Sequence, residues 1–247
     1  MIRGIYTAVS GMVPRMNQVR NVADNLANQT TYGYKKNSLF MRELITAQYA
    51  LDHANGVERT EVPEEYRIDF SQGGLEKTDR PFDLALNGPG FFRIQDPAGA
   101  ITYTRNGRFY LDQNGQMVNS EGMILLNNNN APVTIRGTDP EIMANGEVFE
   151  DGALRTRIGI TDFDPADYPA LANIGKGLFA KPAAVNEIAP DTKTEMFQGY
   201  IEESNVNPVL AMVDMMEMFR MFELGQKSIQ IQDQTLQRSV TEVGVVR

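Results

Sequence analysis

The chain has 247 residues, 42% hydrophobic and 22% charged, with no Cys, no Trp and one His, so it can bury a core and is too apolar for disorder throughout. Without cysteine there is no disulfide, no thiolate chemistry and no Cys/His zinc site, and His53 alone excludes a mechanism that needs two histidines. A formal charge of −9 is unsuited to gripping nucleic acid by its phosphates.

The first 36 residues run against that balance, with Arg3, Arg15, Arg20, Lys35 and Lys36 opposed by Asp24 alone. Such a bias reads as a solvated helix face or as a basic arm. No apolar run of ~7–15 residues follows the basic start, so no cleavable signal peptide is expected. Nothing approaches the ~18 apolar residues of a spanning helix, so stable membrane insertion is not expected either. Ile5, Val9, Met12, Met16, Val19, Ala23 and Leu26 alternate spacings of four and three, which predicts a helix with a heptad seam. Pro14 lies off the seam and predicts a kink.

Residues 37–71 read as a connector, with helical character from Asn37 to Leu51 and a charged stretch from Asp52 to Glu65 that holds Pro63 and a solvated His53. Turn chemistry then takes over. Asn87–Gly88, Asn106–Gly107, Asn114–Gly115, Asn145–Gly146 and Asp151–Gly152, with Asn55–Gly56 upstream, suit tight hairpin turns. Strand-like runs lie between them at Phe91–Gln95, Arg108–Leu111, Met117–Val118 and Arg155–Phe163, and Leu111–Val118 reads as a hairpin. Residues 72–204 are therefore expected to be mostly antiparallel β. Asp162, Asp164 and Asp167 resemble a calcium loop only faintly, since Asp167 stands where that loop needs glycine; an acidic surface loop is expected.

At the far end, Met215, Phe222, Ile229, Leu236 and Val243 recur by sevens, flanked by Met212, Phe219 and Val240. Pro208 suits the first turn of this helix, with Asn207 or Asn205 as its cap. Five methionines between Met212 and Met221 fit either adaptable core filling or a helix enclosed by other subunits. Gln226, Gln230, Gln234 and Gln237 form an uncharged stripe, which fits an ordinary exposed face or the lining of a wet lumen. The layout predicts an α+β fold. Its terminal helices (residues 1–36 and 205–247) pair as a coiled-coil layer, and an antiparallel β domain (72–204) is inserted between them. No phosphate-cradling glycine loop, nucleophile elbow or metal-binding helix motif occurs, so no catalytic residue, metal or cofactor is assigned.

Four blocks then carry a resemblance. Asn25-Leu26-Ala27-Asn28, with Thr31, Gly33, Tyr34 and Lys35, is similar to the N-L-A-N-x-x-T-x-G-F/Y-K signature of bacterial flagellar rod and hook proteins. Gly74-Leu75, Thr78, Pro81, Asp83-Leu84-Ala85-Leu86, Gly88 and Gly90-Phe91-Phe92 resemble a second block of that family. Tyr103-Thr104-Arg105-Asn106-Gly107-Arg108-Phe109 resembles its Y-T-R-x-G-x-F block, and Glu202-Glu203-Ser204-Asn205-Val206 its E-x-S-N-V motif. Gly225 departs from the pattern, where Asn is usual, and glycine costs a helix interior ~1 kcal/mol.

The resemblance implies a non-enzymatic subunit of the hollow basal-body rod, more like the proximal than the distal rod protein. The implied partners are copies of itself, other rod and hook–basal-body proteins and the flagellar type III export apparatus. It also implies a periplasm-spanning location, reached without a cleaved signal. The end helices of a free monomer are expected to be poorly ordered until partner helices cover them. A wall-remodelling enzyme and a soluble binding module built on the β domain stand as the other readings.

Overall fold

A computed structural model of the chain describes residues 2–41, 64–137, 140–189 and 194–243. Helix α1 spans Ile2–Ala27. Two strands follow, β1 (Asn37–Met41) and β2 (Glu64–Ile68), then β3 (Leu75–Lys77), β4 (Leu84–Asn87), β5 (Phe91–Gln95) and β6 (Ile101–Thr104). Next come β7 (Tyr110–Leu111), β8 (Met117–Val118), β9 (Ile124–Leu125), β10 (Glu141–Ile142), β11 (Glu147–Glu150), β12 (Ala153–Arg157) and β13 (Ile160–Thr161). The β region closes with β14 (Ala172–Gly175), β15 (Leu178–Ala180), β16 (Glu195–Gln198) and β17 (Tyr200–Glu202), and helix α2 spans Pro208–Val243. The chain divides into two units. One comprises Met1–Ala27, Asn37–Arg67 and Asn207–Arg247, the other Asn28–Lys36 and Ile68–Val206.

The second unit is built around β5. In the largest sheet, strands run in the order β14-β15-β6-β5-β9-β8-β7, and β13 pairs with β5 beside β9. Successive β5 side chains enter different cores, as strand geometry demands. Phe92 and Ile94 join Leu84, Leu86, Phe109 and Met117, whereas Phe91 joins Tyr103, Phe163 and Phe179. Phe91 and Tyr103 both meet Phe163, at ring-centroid distances of 5.7 Å and 5.0 Å. The strand expected at Phe91–Gln95 is present with those bounds. The run expected at Arg155–Phe163 is split by Gly159, whose amide donates to Leu126 O while its own carbonyl accepts from Arg93 N.

Most of the turns differ in kind from the two-residue hairpins expected at Asn-Gly. Asp96, Asp112, Asn119 and Asn127 each open a loop of one design. The amide four residues on donates to the side-chain oxygen of the opening residue at 2.7–2.9 Å, and the fourth residue of the loop has positive φ. An Asx side chain thus substitutes for a backbone acceptor, and the pair Asn114–Gly115 is only the tail of such a loop. The two-residue turn does occur at Asp151–Gly152, where both residues have positive φ and Glu150 pairs with Ala153.

In the first unit, α1 runs unbroken through Pro14. Asn37–Met41, expected to begin a helix, is a strand paired with β2. The cause is local: the buried Asn25 amide accepts from Asn37 N at 2.8 Å and donates to Asn37 O at 2.7 Å, mimicking a strand partner. The remainder of the expected connector helix, with His53 and Asn55–Gly56, lies outside the described residues.

Candidate assembly surface and motif junction

Helix α2 begins as its sequence dictates. Asn207 Oδ1 accepts from Val209 N and Leu210 N at 3.0 and 3.2 Å, and Pro208 occupies the first helical position, where a missing N–H is harmless. Along α2, Ala211 is buried, and Met215, Met218, Phe222, Gly225, Ile229 and Gln232 are half-buried. That is a heptad stripe shared with the expected seam at Met215, Phe222 and Ile229. The flanking positions differ. Met212 and Phe219 are 48% and 49% exposed, and the inner places belong to Ala211 and Met218, one residue earlier.

The same offset recurs on α1. Met12, Val19 and Leu26 are half-buried, but Met16 is exposed, and Arg15 takes the inner place with its guanidinium donating to Gln18 Oε1 at 3.1 Å. Choosing apolar residues selected Met16 over Arg15, although arginine methylenes line a seam while the charge reaches out. The side chains of Ile5, Val9, Leu236 and Val240 are outside the described set. Gln226, Gln230, Gln234 and Gln237 all lie exposed, away from the half-buried stripe.

Gly225 has a positive role. A β-carbon placed there would come within 3.1 Å of Met12 Cγ and 3.5 Å of its sulfur, so the missing side chain makes the space that Met12 occupies. The ~1 kcal/mol helix cost of glycine thus coincides with close approach of α1 to α2.

In the second unit, all four sequence blocks interlock. Asn28, Thr31, Gly33 and Tyr34 form a turn in which Thr31 N donates to Asn28 O and Tyr34 N to Thr31 O. Gly33, with φ of +66°, donates to Glu202 O at 2.7 Å, and a β-carbon there would coincide with the backbone at Arg105 and Asn106. Tyr34 and Val206 are buried. Asn205 accepts from Lys36 N at 2.7 Å and donates to Asp69 O at 2.8 Å, so it ties residue 36 to the strand exit at residue 69.

The expectation assigned residues 28–36 to the helices. These bonds place them with the β unit.

Beneath the turn is a charge cluster that periodicity could not find. Lys35 Nζ donates to Glu202 Oε1 at 2.6 Å and to Ser71 O at 2.7 Å, and Gly73 N donates to the same carboxylate oxygen at 2.9 Å. Arg105 Nη1 reaches Glu202 Oε2 at 3.4 Å, and its Nη2 donates to Gly88 O at 2.8 Å. Burial pushes the Lys35 ammonium and the Arg105 guanidinium down from their usual values, while the Glu202 carboxylate opposes both shifts. Each of the three belongs to a different motif block, so the only signal in the sequence was the blocks themselves.

Among the described residues no cluster of His, Asp or Glu is arranged to hold a metal ion, and no helix is long and apolar enough to cross a membrane. Comparison with known proteins gives the context for these features. Residues 85–150 match the model described as the flagellar hook protein FlgE/F/G D1 domain, and residues 198–242 match that of the flagellar basal body rod FlgEFG protein C-terminal. The chain is 30% identical to the flagellar basal-body rod protein FlgG of Buchnera aphidicola subsp. Schizaphis graminum, across 96% of this chain and 98% of that protein. It is 31% identical to flagellar basal-body rod protein FlgF of Mesorhizobium japonicum, across 89% and 88%, and 31% identical to FlgG of Borreliella burgdorferi, across 96% and 97%. With the helix stripe, the motif turn and the buried Lys35–Glu202–Arg105 cluster in place, these likenesses extend over nearly the whole chain, which belongs to the flagellar basal-body rod protein family.

Proposed function

We propose that this chain is a non-enzymatic structural subunit of the basal-body rod, in its proximal part, and that copies join through their terminal helices into an open helical tube. One observation supports it above the others. Helix α2 leaves Val209, Leu210, Val213, Met216, Phe219 and Leu224 exposed outside the half-buried stripe. A helix apolar over so wide an arc needs more neighbours than α1 supplies. Burying each such side chain contributes roughly 1.5–3 kcal/mol, against ~1–2 kcal/mol per residue for ordering the backbone, so neighbouring copies decide whether the helices are stably held. In this reading α1 and α2 form the coiled-coil layer, and heterologous contacts that do not close into a ring extend the array.

The exposed glutamine stripe from Gln226 to Gln237 faces the central channel in this reading, where neutral amides do not trap charged cargo. Delivery is through the flagellar type III export apparatus, and the neighbours are other rod and hook–basal-body proteins. The proximal position rests on the segment Ser239-Val240-Thr241-Glu242-Val243-Gly244, which is more similar to the proximal than to the distal rod protein.

The test replaces Ile229 with Asp and images basal bodies. Loss of the chain from the rod, with the β unit still folded, is expected, and a normal rod would sink the reading. Deleting the chain should leave basal bodies that stop short within the proximal rod; a complete proximal rod would reject that position.

A further inference from the structure

We infer that Met212, Met216 and Met221, spread around the exposed arc of α2, are oxidation-sensitive positions that gate entry of the subunit into the rod. The consequence for assembly rests on the proposed function; the chemistry of the site does not. These three side chains are 48%, 55% and 47% exposed on α2, and they belong to the outer arc rather than to the stripe that holds Met215 and Met218. Their sulfurs are therefore open to a two-electron oxidant such as hypochlorous acid. In that step the thioether sulfur takes one oxygen atom and loses two electrons, the O–Cl bond breaks, and chloride and a proton leave. The product is a polar, chiral sulfoxide in place of a supple apolar group.

Met117 and Met196 are fully buried in the second unit and serve as internal controls. Met143 is exposed on a turn of that same unit, so it takes up oxygen without touching the helix surface. Three sulfoxides spread around the exposed arc of α2 put polar, hydrated groups where contacts with neighbours would be apolar. Burial in an assembled rod would remove the same sulfurs from oxidant.

Treating the purified full-length chain with hypochlorous acid and mapping peptides by mass is the first arm. Met212, Met216 and Met221 should gain one oxygen each well before Met117 and Met196; equal rates across all five would overturn the inference. The second arm compares wild-type cells with an M212L/M216L/M221L variant, both challenged during flagellar growth. Wild type should lose roughly tenfold or more of its new rods, as expected when several apolar contacts are lost, while the leucine variant and an M143L control separate helix from turn. Rescue by the triple variant and none by M143L supports the site, and equal loss in wild type and triple variant overturns it.

If the leucine variant builds no rod, the same count is taken in wild-type cells lacking or overproducing methionine sulfoxide reductase. Rod number that follows reductase level supports the site, and indifference to it overturns it. Absence of the chain from purified basal bodies would instead sink the proposed function, while the peptide map still decides whether the three sulfurs react ahead of the buried Met117 and Met196.

Discussion

Lys35 and Glu202 are 167 positions apart in sequence, yet their charged groups meet at 2.6 Å with both side chains sealed from solvent. Removing one member of such a pair strands the other. Lys35→Met should therefore destabilise the chain by about 3–5 kcal/mol, the range for breaking a buried ion pair, as measured by urea denaturation. Glu202→Gln should cost a similar amount, because Lys35 and Arg105 would both lose their counter-charge. A loss below ~1 kcal/mol, the level of an exposed pair, would show that water reaches the cluster.

Gly33→Ala tests the turn above that cluster. The substitution combines a left-handed backbone with a collision against main chain, which cannot swing away as a side chain can. Strain of ~1–3 kcal/mol for the dihedral alone is expected, with the collision added to it. Thermal unfolding of purified protein should show a lower midpoint, and an unchanged midpoint would mean the turn has room to open.

The space above Gly225 predicts a compensating pair. Gly225→Leu should overpack the contact with Met12 and cost roughly 1–3 kcal/mol in the helical unit, with loss of motility. Adding Met12→Ala should restore swimming in part. Rescue in soft agar reads the coupling directly, and two purely additive defects would argue against contact between these residues.

Inner and outer positions on α2 should separate two kinds of failure. With trimethylamine N-oxide added to order the helices of the free chain, Ile229→Asp should lower the helix signal in circular dichroism, since it charges the half-buried stripe. Phe219→Asp should leave that signal alone and still block rod formation, because it changes only the exposed arc. Equal helix loss in the two variants would refute the distinction.

Glu150 supplies a pH dependence. Hydrogen bonds from Gly137 N and Arg136 N, helped by Arg155, hold its carboxyl below the usual carboxylate value. A carboxyl whose folded value is depressed contributes stability that is complete above the unfolded value of ~4.3 and disappears as pH falls through the lower folded one. Glu150→Gln should therefore lower stability at pH 7 and flatten the acid limb below about pH 4.3. An acid limb identical to wild type would place the titration elsewhere.

Periodicity made the helices legible, but not which flanking positions are covered within one chain. Met218 and Phe219 are equally apolar, so pattern alone cannot tell which is half-buried there, and at residues 15 and 16 the half-buried one is the arginine. The β strands were readable at Phe91–Gln95, where both faces are apolar, and at Met117–Val118, beside a turn signal, but not at Ile124–Leu125, which no Asn-Gly pair precedes. The motif residues were visible as letters. Their joint purpose was not, since Lys35, Arg105 and Glu202 become one object only when distant segments meet.

That meeting has a temporal side. A ribosome delivers residue 35 early and residue 202 only after four-fifths of the polypeptide has been made. Until then Lys35 and Arg105 lack their acid, and the strand Tyr200–Glu202 that pairs with Leu75–Lys77 does not yet exist. Closure is thus postponed by the order in which partners emerge, and an unfinished nascent chain stays loose for most of its translation.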